Sequence, residues 1–160
     1  MAALEVPTTS TRPAILFDVD GTLIVRSPKR KRPHNPAHGG WIRSLSLDAD
    51  IHYLSIIGIH AHEIVGKKLK LPEFDWINYP AYGPYDEPAS RALAITALFP
   101  DRPVTWIDNE LGEAEFNWAA ERNANHAPTL LVKTDTYRGI QKVHVNQITA
   151  WVGGLALDRH

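Results

Sequence analysis

The 160-residue chain has no cysteine, which excludes disulfides and thiolate metal sites and is compatible with either redox compartment. It also lacks a dominant charge of either sign. Its 17 lysines and arginines against 18 aspartates and glutamates leave a formal net charge of −1, so affinity for nucleic acid or an anionic membrane has to arise from a local patch. No apolar run approaches the roughly 18 residues that cross a bilayer, and the opening "MAALEVPTTSTRP" has neither the basic start nor the apolar core of a secretory signal. A soluble, cytoplasmic protein with no membrane partner is expected. Internal repeats and low-complexity linkers are missing too, and the length suits one domain that buries about two-thirds of its unfolded surface. The polar, proline-punctuated residues 1–13 read as a flexible leader, and 14–160 as that single domain.

What the chain does have is an alternation of short apolar runs with amphipathic stretches. The run "AILF" (14–17) is uncharged and reads as a strand buried on both faces, the kind found inside a parallel sheet. Further strands are expected at "IHYLSII" (51–57), "PVTWI" (103–107) and "PTLLVK" (128–133). Helical segments are expected around 41–47, 60–69, 89–99, 113–123 and 141–152, the last docking through Val143, Ile148 and Trp151. Two stretches break the rhythm: the basic, proline- and glycine-rich 25–40, and the aromatic "FDWINYPAYGPYDEP" (74–88). Both read as loops. The pattern predicts an α/β fold, a central parallel sheet with helices on both faces.

The strand at 14–17 runs straight into Asp18 and Asp20, and Gly21 and Thr22 then end it. Two acids this close at the mouth of a buried strand repel each other and cost desolvation energy unless a cation joins them. In "TWIDNELGE" another apolar strand ends in Asp108, followed by Asn109 and Glu110, and Ser55 sits near the end of a third. Ligands of doubly wound sheets collect at such carboxyl ends. Carboxylate oxygens completed by water and phosphate suit Mg²⁺, whose natural partner chemistry is that of phosphate esters.

"DVDGTL" after a hydrophobic strand resembles the first motif of the haloacid-dehalogenase-like superfamily of phosphohydrolases. Residues 14–151 are similar to its small capless members from bacteria and phages, including phosphatase domains associated with RNA repair. "YLSIIGIHAHEIVGKKLKLPEF", "TWIDNELGEAEFNWAAERN" and "PTLLVKTD" followed by a glycine come in the order and spacing of those members. The resemblance implies a three-layer, Rossmann-like fold with minimal or no cap. It implies that Asp18 attacks phosphorus to form an aspartyl phosphate, while Asp20 protonates the leaving oxygen and then activates water. Mg²⁺ would be held by Asp18, the backbone carbonyl of Asp20 and Asp108. Asn109 is a further candidate, through water, unless it only caps the following helix. Thr22 would steady the turn, and Ser55 would bind a phosphoryl oxygen. The family also uses a lysine before the metal-binding strand to neutralise the phosphoryl group. No lysine lies between Lys70 and Lys133, and Asp86 and Glu87 stand where it is expected. Arg91, Lys67 and Lys68 are the candidates for its role.

The basic run Lys29, Arg30, Lys31 and Arg32 would suit an RNA or DNA end on the rim of an open site, although charge runs more often form solvated loops. "HAHE" (60–63) has the look of a metal pattern, but residues two apart on a helix point in different directions, so helix surface is the expected fate. Trp76, Tyr79, Tyr82 and Tyr85 are either stacking platforms for bases or anchors packing on their own domain. A Mg²⁺-dependent phosphatase of nucleic-acid ends or nucleotides is the leading expectation. Its rivals are a binding protein without turnover and a phosphatase of small metabolites.

Overall fold

The computed structural model of the chain describes residues 10–25, 35–77, 79 and 87–158. The basic run 29–32, Tyr82, Tyr85 and Asp86 lie outside these residues. Five strands form one all-parallel sheet: β1 (Ala14–Phe17), β2 (Asp50–Leu54), β3 (Asp75–Ile77), β4 (Val104–Asp108) and β5 (Thr129–Lys133). Their spatial order is β3-β2-β1-β4-β5, the doubly wound order in which the chain starts at the centre and reverses direction between β1 and β4. Four α-helices are found among the described residues: α1 (Ala37–Leu45), α2 (Glu87–Leu98), α3 (Glu113–Ala124) and α4 (Lys142–Leu157). No helix among those residues is long and apolar enough to cross a membrane.

Side chains alternate along each strand, so an unbroken apolar run fills two cores at once. Ile15, Phe17, Ile51, Tyr53, Ile107 and Val132 meet Ile42 and Leu45 of α1 and Val145 and Ile148 of α4 on one face. On the other, Leu16, Leu54, Trp106 and Leu131 meet Ile95 of α2 and Ala119 of α3. All four residues of β1 are sealed from solvent. Truncating Phe17 to alanine would leave a void costing about 3–5 kcal/mol.

The structure corrects several expectations. β2 stops at Leu54, because the chain turns at once: Gly58 N donates to the Ser55 carbonyl at 3.0 Å. β4 runs one residue further than expected and takes in Asp108, paired in register with Lys133. The stretch 25–40 is not all loop. α1 begins at Ala37, whose N–H is received by the Asn35 side chain at 3.0 Å, and Gly39 packs so tightly on the Leu69 carbonyl that only glycine fits. The aromatic stretch 74–88 contributes the edge strand β3, three residues long and so too short to announce itself by alternation. Residues 60–69 are not a regular α-helix: a 3₁₀ turn (Gly58–His60) passes into a π-helical turn (His62–Gly66). α4 docks through Val145 and Ile148, whereas Val143 is 64% exposed. The last residues of the leader are fastened down, with Asp50 N donating to Pro13 O at 2.9 Å and Ser10 Oγ to Asp50 Oδ2 at 2.6 Å.

Candidate functional site

A sheet of this order opens a crevice where the strand order reverses, beyond the carboxyl ends of β1 and β4. Asp18 follows β1 directly, its N–H continuing the ladder to Ile107 O at 2.9 Å, and Asp108 is the last residue of β4. They are 3% and 1% exposed. Asp20, two residues on, is exposed.

The turn that aims Asp18 and Asp20 is built from local bonds. Leu23 N and Ile24 N both donate to Val19 O at 2.9 Å, and Gly21 takes a positive φ of 84° that a side chain would resist. Val19 and Leu23 anchor the turn in the core. The loop after β5 clamps it from the other side: Thr22 Oγ1 lies 3.1 Å from Thr134 Oγ1, and Ile140 N donates to Thr22 O at 2.9 Å. Gly139, also at positive φ, has no Cβ to strike that same carbonyl.

Arg91 enters from α2 and is 3% exposed. Its Nη1 donates to Asp108 Oδ2, its Nη2 stands 3.8 Å from Asp18 Oδ1, and its Nε donates to the Tyr79 hydroxyl at 2.8 Å, with that ring 5.4 Å from the guanidinium. Trp106 Nε1 also donates to Asp108 Oδ2, at 3.1 Å, and Glu110 N to Asp108 Oδ1 at 2.9 Å. Three donors thus engage the Asp108 carboxylate, and it serves as the anchor of Arg91. Of the cations weighed for a phosphate-neutralising role, Arg91 reaches the carboxylates, while Lys67 pairs with Glu63 at 2.6 Å on the exposed surface.

Arg91 is the described cation in contact with the two buried carboxyl groups, so one guanidinium serves two acids. Burial, then the neighbouring Asp108 carboxylate, push the Asp18 carboxyl well above its ordinary range, against the pull of Arg91. Burial works against the Arg91 charge, but Asp108 and Asp18 outweigh it and hold its proton more tightly than usual.

Asn109 completes the arrangement. One atom of its amide lies 3.2 Å from Asp18 Oδ2 and 3.0 Å from Asp20 O, and the other lies 3.0 Å from Thr136 Oγ1. Mg²⁺ prefers oxygen ligands in a near-octahedral array, and bonds of about 2.1 Å put neighbouring ligand oxygens about 3 Å apart. In the orientation that satisfies all its partners, the Asn109 nitrogen donates to both Asp18 Oδ2 and Asp20 O. Asp18 and the Asp20 carbonyl offer oxygens of the kind such an ion takes. The convergent oxygens belong to Asp18 and Asp20, with the Asn109 amide nitrogen donating to both and Asp108 turned toward Arg91. Among the described residues no group of three His, Asp or Glu side chains is placed to hold a metal ion, at this crevice, at "HAHE" or elsewhere.

Ser55 is buried just past the end of β2, its Oγ 3.5 Å from Ile57 N. Two supporting residues escaped the sequence reading. Tyr79 had been weighed only as a base platform or packing anchor, and Trp106 only as a strand residue. An indole N–H on a wholly buried strand requires an acceptor, and Asp108 two residues on is on the same face; that was the available signal for Trp106. Trp76 packs over Gly58 within its own domain. No protein-family model, curated protein or solved structure matches the chain.

Proposed function

We propose that this chain is a cytoplasmic, Mg²⁺-dependent phosphomonoesterase of the haloacid-dehalogenase-like type, acting on nucleic-acid ends or nucleotides. The observation that supports it most is the buried pair Asp18 and Asp108 at the strand-order reversal, bridged by Arg91, with oxygens of Asp18 and Asp20 converging beside them. Asp18 and the Asp20 carbonyl would hold Mg²⁺, with Asn109 contributing through water, and the ion would supply positive charge that offsets repulsion between a carboxylate and a phosphoryl group.

The chain's own groups carry the proton and bond changes. A carboxylate oxygen of Asp18 forms a bond to phosphorus as the ester P–O bond breaks, and Asp20 gives its proton to the departing alkoxide oxygen. Asp20 then removes a proton from water, which attacks the phosphoaspartate; inorganic phosphate leaves and Asp18 is restored. The exposure of Asp20 gives it access to both leaving group and water. Arg91, fixed by Asp108, Tyr79 and its own burial, supplies the permanent charge that relatives place on lysine, and Ser55 binds a phosphoryl oxygen. Thr22 ties the nucleophile's turn to the β5 loop.

The test is phosphate release from p-nitrophenyl phosphate and from 5′- and 3′-phosphorylated oligonucleotides, with Mg²⁺ or EDTA, in the native protein and in Asp18→Asn. Release that needs Mg²⁺ and disappears in the variant is expected. Silence on every substrate would overturn the reading in favour of a binding protein. Replacing Lys29, Arg30, Lys31 and Arg32 with alanine is expected to raise KM for oligonucleotides more than for the small ester; equal effects would remove the nucleic-acid assignment.

A further inference from the structure

At the amino ends of β2 and β3, the opposite edge of the sheet from Asp18, lies an open cleft of about 320 Å³. Its walls carry two guanidiniums, Arg12 and Arg102, against three carboxylates, Asp50, Glu73 and Asp75. The arginines are committed within the chain. Both pair with Asp50, Arg12 Nη2 also donates to Ser46 O and Ala49 O at 2.8 and 3.0 Å, and Arg102 Nε donates to Arg12 O. Glu73 and Asp75 are left over: both are exposed, and neither has a hydrogen bond or an ion pair among the described residues.

His52 is an independent sign that the cleft takes a ligand. It lines the same walls, in register with Asp75 across β2 and β3, and is 3% exposed, yet neither ring nitrogen has a hydrogen-bond partner. Buried polar atoms are costly to leave unpaired, and two on one ring mark a place where a ligand's polar atoms belong. Burial, with Arg102, lowers the pKa of this histidine to about 4 against Asp75 and Asp50, so at neutral pH the imidazole is uncharged and keeps a lone pair that accepts a hydrogen bond. The acceptors do not gather round one point, since no group of three His, Asp or Glu side chains among the described residues is placed to hold a metal ion. An extended cation bearing N–H donors matches them. At about 30 Å³ per water the cleft has room for about ten, the volume of a short aliphatic chain with a polar group at each end. Phe74 and Ile51 offer apolar wall to its methylenes, and the Phe74 ring offers a face to an ammonium.

We infer that this cleft binds a small organic cation, an aliphatic diamine or a guanidino-amine, whose N–H groups engage Glu73, Asp75 and a ring nitrogen of His52 while its methylenes lie against Phe74. The inference is independent of the phosphatase reading, with which it shares no residue.

The experiment records nitrogen-15 spectra of the full chain, backbone and His52 ring, while butane-1,4-diamine, its guanidino derivative agmatine, butane-1,4-diol, inorganic phosphate and a lysine-bearing peptide are each added at constant ionic strength. Saturable shifts at His52, Glu73 and Asp75 are expected with the two amines. Binding is expected to weaken about tenfold in Asp75→Asn and in Glu73→Gln, whose exposed side chains can change without unfolding the chain, and likewise in His52→Leu. No saturable shift with either amine would overturn the site. An equal response to the diol or to phosphate would overturn the selection for a cation, and an affinity unchanged in all three variants would overturn the placement in this cleft. Shifts from the peptide alone would overturn the small-molecule ligand in favour of a protein side chain.

Discussion

At the carboxyl edge of the sheet two buried carboxylates, Asp18 and Asp108, share the guanidinium of Arg91; at the amino edge the guanidiniums of Arg12 and Arg102 share the carboxylate of Asp50. The same two residue types are used with opposite balance. Asp50 also receives the Ser10 hydroxyl, and it reaches water. Burial pushes its carboxyl up, but Ser10, Arg102 and Arg12 outweigh that and hold it below its usual value, while Asp18 is driven above. The Asp50 clamp is satisfied and ties the entering chain to β2. The carboxyl edge leaves a buried carboxyl that burial and Asp108 drive upward, a condition enriched at binding and catalytic sites.

The largest effect expected from this contrast is on turnover. Asp18→Asn is expected to reduce phosphate release at least about a thousandfold, with a melting temperature no lower than native because one of two like charges is gone. Asp50→Asn is expected to leave release unchanged, and a comparable kinetic loss in both would break the comparison. Next in size is Arg91→Met, which strands two buried carboxylates and is expected to cost about 3–5 kcal/mol in urea unfolding. Arg102→Met leaves Asp50 with Arg12, Ser10 and water, and is expected to cost about 1 kcal/mol or less. Equal losses would show that burial and charge balance do not separate the edges.

A third prediction concerns acid. His52, two residues along β2 from Asp50, is buried with neither ring nitrogen hydrogen-bonded. Burial first, then Arg102, lowers its pKa to about 4, against Asp75 and Asp50, which raise it. A histidine whose folded pKa lies below its unfolded 6.5 stabilises fully above pH 6.5 and loses that contribution as the pH falls toward 4, because the unfolded chain takes the proton more readily. The loss is expected to reach about 3 kcal/mol, measured by urea unfolding across that range. His52→Leu is expected to flatten the acid limb; an unchanged limb would assign the acid sensitivity elsewhere. Asp50 adds a smaller loss of the same sign below pH 3.8, since its folded pKa is depressed.

Much of this was legible in the residues. The uncharged run at β1, the glycine after two aspartates, and a second apolar strand ending in Asp108 mark buried parallel strands and the acids at their carboxyl ends through local chemistry alone. β3 was not legible, because three residues at an edge carry too little pattern. The start of α1 was hidden by "HGG", glycines needed for close approach to Leu69 O yet reading as loop punctuation. Arg91 could be named as a candidate for the missing lysine, but so could Lys67, since spacing along the chain does not say which cation crosses to the carboxylates.

By itself the sequence determined that four short apolar strands would form, the first buried on both faces, and that acids would stand where two of them end. Periodicity and the cost of burying charge are properties of neighbours along the chain. Only the tertiary structure decided that β1 lies beside β4, so that Asp18 and Asp108 meet, that α2 brings Arg91 between them, and that the β5 loop sets Thr136 behind Asn109. Those contacts join residues 17 to 90 positions apart, and they follow from strand order and helix placement, which packing of the whole chain settles.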